Sequence, residues 1–132
     1  MNILVVDDET DQVETLGRGL RSRGHRVYEA TNPREALNLI RGTSEIDMVI
    51  TDYVMPMMNG IELLEEIRRI RPSLMVILVT AYGQKGLLAA ASQRNCNGYL
   101  EKPFTPDQLM REIGRVEQHA DSTPILNTSS IL

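Results

Sequence analysis

A single cysteine, Cys96, stands in 132 residues, so no disulfide can close within the chain and a reducing compartment suits it. Basic residues are not in excess: 14 Lys and Arg face 18 Asp and Glu, giving a formal charge of −4. With a pI near 5.2 the chain lacks the electrostatic footprint that would hold nucleic acid or an anionic membrane surface. No apolar run approaches the roughly 20 residues of a membrane-crossing helix. The opening Met1-Asn2-Ile3-Leu4-Val5-Val6-Asp7-Asp8 also lacks the basic flank and long apolar centre of a signal peptide. A cytoplasmic location is expected. His25 and His119 have no ligand partner at helical spacing, and Cys96 has no nearby histidine to activate it. Gly17, Gly19 and Gly24 form no GxGxxG after a strand, and no internal repeat is present.

What remains is an ordinary globular composition, 42% hydrophobic and 24% charged, in a chain the length of one domain. Short apolar runs alternate with stretches of helical period until about residue 118. Ile3–Val6 reads as a buried strand, and Val13, Leu16 and Leu20 give the following helix its apolar face before Gly24. Val27–Ala30 is a weaker strand. Asn32-Pro33 opens the next helix, with Glu35 at its third position and Ala36, Leu37 and Ile40 inward. Met48–Thr51 is a third strand that delivers Asp52. A loop with Pro56 and Asn59-Gly60 leads to a helix carrying Leu63, Leu64, Ile67 and Ile70. Leu74–Val79 is the most apolar strand, and residues 84–94 are expected to be helical, with Asn95 in the left-handed closing position. Gly98–Leu100 is a short fifth strand. Thr105-Pro106-Asp107-Gln108 is a capping box for a last helix that buries Leu109, Ile113 and Val116. Five strands alternating with five helices imply an α/β fold, a parallel sheet covered on both faces. Residues 1–118 are expected to form the domain and 119–132 a tail or the start of a linker.

In an open parallel sheet the ligand site lies beyond the carboxyl ends of the strands, where the winding reverses. Four strands here end in Asp7-Asp8, Asp52, Thr80 and Lys102. Three carboxylates gathered at one edge repel by about 4 kcal/mol per pair at 4 Å and an effective dielectric of 20. A hard divalent cation relieves that repulsion, and Mg²⁺ uses one or two carboxylates together with phosphate oxygens. Asp8 is expected to bind the metal directly and Asp7 through water or by orienting the site. Asp52, on the central strand, can serve as ligand and nucleophile, and Lys102 can hold a phosphoryl oxygen.

These residues resemble the receiver domain of bacterial two-component response regulators over roughly residues 1–118. The resemblance is carried by Val5-Val6-Asp7-Asp8-Glu9, by Thr51-Asp52 with Met55-Pro56 and Asn59-Gly60, by Val79-Thr80-Ala81, and by Tyr99-Leu100-Glu101-Lys102-Pro103-Phe104. It implies a flavodoxin-like, doubly wound sheet of order 2-1-3-4-5 with five flanking helices. It also implies phosphorylation of Asp52 by a sensor histidine kinase or phosphotransfer protein. Mg²⁺, with Mn²⁺ as a substitute, would be held by Asp7, Asp8, Asp52 and the main-chain carbonyl of Val54. Thr80 and Lys102 would stabilise the phosphoryl group, Thr80 and Tyr99 would form the switch pair, and Lys102–Pro103 would be a cis peptide. Output would pass through the surface of the fourth helix, fifth strand and fifth helix to an effector domain or protein, with a homodimer through that surface left open. Direct nucleic-acid contact and membrane association are not expected.

Some positions depart from the family. Asn95-Cys96 replaces the usual Gly-Ala, and Val54 and Tyr82 stand at positions that modulate phosphoryl hydrolysis, neither able to position water well. A long-lived phosphoryl state is therefore expected. The Val79–Gly83 and Glu101–Phe104 stretches are similar to receivers attached to σ54-dependent transcription activators. Two other classes compete. A haloacid-dehalogenase-type phosphohydrolase also uses a strand-end aspartate, but carries its pair two residues apart on the first strand. A phosphorylation-independent interaction domain would not need the full set of acids, hydroxyl and amine.

Overall fold

A computed structural model describes residues 1–81 and 86–119. Five strands, β1 (Asn2–Val6), β2 (Arg26–Ala30), β3 (Met48–Asp52), β4 (Met75–Thr80) and β5 (Gly98–Glu101), alternate with five helices. The helices are α1 (Thr10–Arg21), α2 (Pro33–Gly42), α3 (Gly60–Ile70), α4 (Leu87–Gln93) and α5 (Pro106–Gln118). The sheet is parallel throughout and runs β2-β1-β3-β4-β5, the doubly wound order that the resemblance implies.

The two-residue period of the strands divides their side chains between two layers. Ile3, Val5, Met48, Ile50, Ile77 and Val79 face α1 and α5, where Val13, Leu20, Leu109, Ile113 and Val116 cover them. Leu4, Val6, Val49, Val76 and Leu78 face the other side and are covered from α2, α3 and α4. Both faces are dry, which accounts for strands that read as unbroken apolar runs.

Local chemistry starts the helices where the sequence predicts. Asn32 accepts the Glu35 amide at 2.8 Å with Pro33 at the first helical position. Asn59 with Glu62 and Thr105 with Gln108 form reciprocal capping boxes. The first helix differs. Its N-cap is Glu9, which makes no side-chain cap, and Asp7 instead accepts the Glu9 amide at 3.0 Å. Asp7 and Asp8 are thus not spent on capping α1.

Asn95 takes the left-handed conformation, φ 61°, and closes the turn into β5 in the place of glycine. The expected helix over 84–94 is shorter, α4 beginning at Leu87 after Gly86 at φ 91°, and residues 84 and 85, like Tyr82, lie outside the described residues. His25 is half-buried, and the start of β1 sets the amino group of Met1 3.1 Å from its Nδ1. His119 closes α5 and is exposed, and the tail expected over 119–132 otherwise lies outside the described residues. Among the described residues no helix is long and apolar enough to cross a membrane.

Candidate functional site

The strand order changes hand between β1 and β3, and the carboxyl ends of these two neighbours bring Asp7, Asp8 and Asp52 together. A carboxylate oxygen from each lies within 4.8 Å of the others. Asp7 is buried, Asp52 half-buried and Asp8 exposed, so the cluster has a closed floor and an open rim. Lys102, just past the end of β5, places Nζ 3.5 Å from Oδ2 of both Asp7 and Asp52. Its own amide donates to the Thr80 carbonyl at 2.8 Å, which ties the lysine to the end of β4. The Lys102–Pro103 peptide is cis.

Asp52 is held from behind. Its Oδ1 accepts the Tyr53 amide at 2.9 Å, and that amide also donates to the Val79 carbonyl at 2.8 Å. Gly60 returns to the same place, its amide donating to the Tyr53 carbonyl at 2.8 Å. A Cβ there would stand 2.6 Å from the Asp52 carbonyl oxygen and 2.6 Å from Leu78 Cδ1. Glycine is thus required at this position by close approach, and α3 is drawn against the end of β3. Burial raises the pKa of Asp52 above its ordinary 3.8, opposed by the charge of Lys102 and reinforced by Asp7. Desolvation and like charge therefore outweigh the lysine.

The other residues named from the sequence are placed as follows. Thr80 ends β4, fully buried, paired in register with Glu101 and one residue beyond the partner of Asp52. Tyr99 lies on β5 opposite Leu78, its ring half-buried against the α2–α4 side of the core and outside the acidic cluster. Burial and the nearby Glu101 raise its pKa. The Tyr99 amide donates to Glu112 Oε2 of α5 at 2.9 Å. Val54 follows Asp52 by two residues and is 55% exposed. In the loop after β3, Met55 and Met58 pack against the core, whereas Met57, at φ 73°, is exposed. Cys96 is fully buried, and its thiol is pushed up to about 11 by burial, so it is a small core residue and not a nucleophile.

One contact has no counterpart among the sequence motifs. Gln12, in the first turn of α1, accepts from Lys102 Nζ at 3.0 Å. An uncharged glutamine on an exposed helix face carries no pattern that would single it out.

The donor set is all oxygen and anionic, with no imidazole or thiolate, which fits a hard cation such as Mg²⁺ or Mn²⁺. The fold and this pocket together define a class: a doubly wound α/β protein whose switch point carries an acidic, lysine-bearing cluster suited to a divalent cation and phosphate. The chain belongs to the response regulator receiver domains, whose family model matches residues 3–114. It is 34% identical over 116 residues to a chemotaxis protein CheY homolog of Campylobacter jejuni, covering 86% of this chain and 89% of that one. It is likewise 34% identical over 123 residues to the transcriptional regulatory protein GlrR of Escherichia coli, covering 92% of this chain but spanning only 28% of GlrR. A receiver domain structure from Clostridium thermocellum superposes with a TM-score of 0.85 at 31% identity, covering 91% of this chain and 96% of that one. As a CheY-like receiver domain, this chain is a signalling switch operated by phosphorylation.

Proposed function

We propose that Asp52 is the phosphorylated residue and that residues 1–118 form the switch module, with 119–132 a tail or the start of a linker. The observation that carries this is the placing of Asp52 at the end of the central strand, within 4.8 Å of two further carboxylates and 3.5 Å from an ammonium group. Asp8, Asp52 and the main-chain carbonyl of Val54 would hold Mg²⁺ or Mn²⁺, with Asp7 acting through water or by orienting the site. Bound there, the cation offsets the carboxylate repulsion and the charge of the incoming phosphoryl group.

The donor is a phosphohistidine on a sensor kinase or phosphotransfer protein. A carboxylate oxygen of Asp52 bonds to phosphorus while the P–N bond to the donor imidazole breaks, leaving an acyl phosphate. The protein contributes position and charge: Lys102 faces one phosphoryl oxygen, and the Thr80 hydroxyl donates to another. The chain catalyses its own phosphoryl transfer and slow loss, and does not turn over a separate substrate.

Thr80 moving toward the phosphoryl group and the Tyr99 ring turning inward behind it would alter the α4-β5-α5 surface. That surface serves an effector domain or protein, a homodimer through it being left open, with no nucleic acid or membrane contacted by this module. Taking a switch from 1:99 to 99:1 needs about 5.5 kcal/mol. Hydrogen bonds to a charged group contribute about 1.5–3 kcal/mol each. Two such bonds barely suffice, so the isolated module switches in part and association with a partner completes it.

Incubation with acetyl phosphate and Mg²⁺, followed by intact-mass spectrometry, tests the assignment. One added phosphoryl group is expected in the wild type and none in Asp52→Asn. An unmodified wild type, or equal modification of the variant, overturns it.

A further inference from the structure

Lys102 carries three N–H donors and no acceptor, and its shortest partner is not a carboxylate. Gln12 Oε1 lies at 3.0 Å, against 3.5 Å for both Asp7 and Asp52. The other end of the Gln12 amide donates from Nε2 to Glu9 Oε2 at 3.2 Å. This orientation is the only one that chemistry allows, since turning the amide would set N–H groups against the ammonium and oxygen against the Glu9 carboxylate. A three-membered relay, Glu9–Gln12–Lys102, therefore runs from the start of α1 across to the residue after β5. It spans one end of an open cleft of about 540 Å³ between α1 and α5, whose walls include Leu16, Phe104 and Leu109.

A lysine has a long, flexible stem whose freedom must be lost before its charge serves a fixed point. Asp7 and Asp52 attract the ammonium without fixing it, because 3.5 Å is beyond good charge-assisted hydrogen-bond distance. Gln12 supplies the fixed contact. It is neutral, so it holds the amine without adding a fourth carboxylate to the cluster. It also takes one donor, leaving two to be shared among Asp7, Asp52 and the group Asp52 accepts. We infer that Gln12 is a positioning residue that holds the Lys102 amine ready beside Asp52, which rests on the proposed role of Lys102 opposite the phosphoryl group.

The sequence contains only two lysines, Lys85 and Lys102, which makes the tether directly measurable. Trace acylation of the intact wild-type chain with acetic anhydride, followed by peptide mass spectrometry, gives the reactivity of Lys102 relative to Lys85. In Gln12→Leu the amine is released, and Lys102 labelling should rise about fivefold, the weight of one ordinary hydrogen bond. Gln12→Glu keeps the acceptor but adds a carboxylate that favours the charged amine, so Lys102 should label no faster than in the wild type. Phosphorylation by acetyl phosphate, a donor with no docking surface, should slow about fivefold in Gln12→Leu and return toward the wild-type rate in Gln12→Met only if length and not hydrogen bonding matters.

Unchanged Lys102 labelling in Gln12→Leu overturns the inference, as does recovery in Gln12→Met. Circular dichroism of each variant identifies loss of fold, and Gln12→Ala, a strong helix former, then replaces any variant that unfolds. A wild type that is not phosphorylated at all would sink the assignment of Asp52 while leaving the labelling result, and hence the tether, intact.

Discussion

Removing the Asp52 charge should stabilise the metal-free protein. In Asp52→Asn the repulsion from Asp7 and Asp8, no more than 4.8 Å away, disappears. Each pair at that distance contributes about 3.5 kcal/mol at an effective dielectric of 20. The exposed Asp8 counts for about half of this, since water screens it. The variant also gives up one attraction, to Lys102 at 3.5 Å, of about 4.7 kcal/mol on the same scale. The balance, together with the relieved burial of a charge, favours the variant by about 1–2 kcal/mol. For a chain of this size that is a rise of about 4–7 °C in Tm. Calorimetry at pH 7 in low salt with a chelator measures it. Because folding raises the proton affinity of Asp52, protonation favours the folded wild type. The gap therefore narrows as pH falls through the raised folded value and closes below the ordinary 3.8. Mg²⁺ at a hundredfold excess over its Kd should add about 2.7 kcal/mol to the wild type and reverse the order. A variant less stable than wild type in chelator, or equal stabilisation of both by Mg²⁺, refutes the charge balance.

Gly60→Ala forces a Cβ to 2.6 Å from the Asp52 carbonyl oxygen, so urea unfolding should show a loss of about 1–3 kcal/mol, with slower phosphorylation by acetyl phosphate as a second readout. Cys96, fully buried with its thiol near 11, should resist aromatic disulfide reagents at pH 8 in the folded protein and react fully in denaturant; rapid native labelling would contradict its placement. On the proposed assignment, a phosphoryl group on Asp52 should persist, since the exposed Val54 side chain has no polar atom to hold an attacking water. Its decay in Mg²⁺ buffer is expected to slow no further in Val54→Ala and to accelerate in Val54→Asn.

Much of the site was legible because an apolar strand that stops on a polar residue announces its own end. Asp7-Asp8, Asp52, Thr80 and Lys102 could be gathered on one edge from the sequence, since parallel strands must all bring their carboxyl ends to the same side. Asn95 could be read as left-handed because a polar residue follows a helical stretch where glycine is common. Contacts that depend on side-chain reach across elements could not be read. Gln12 meets Lys102 only because of the rotational phase of α1. Arg68 of α3 donates to the carbonyls of Leu74 and Asn95 and to Asn97 Oδ1, joining α3 to the ends of β4 and α4 with no sequence pattern to betray it. Gly60 was readable as part of a turn, but its reason is steric proximity to the acceptor strand, not backbone handedness. Met57 at φ 73° likewise breaks no pattern in the sequence.

The bond from the Tyr99 amide to Glu112 bears on how copies of this protein can meet. β5 is an outer strand, and an outer strand with idle donors invites a stranger to extend the sheet. Here a carboxylate from α5 occupies one of those donors, and it fits because Gly98 has no Cβ to obstruct it at 2.8 Å. The border of the sheet is thus partly sealed from within, which steers association toward helix faces, where contacts can form and dissolve, and away from sheet extension toward aggregates.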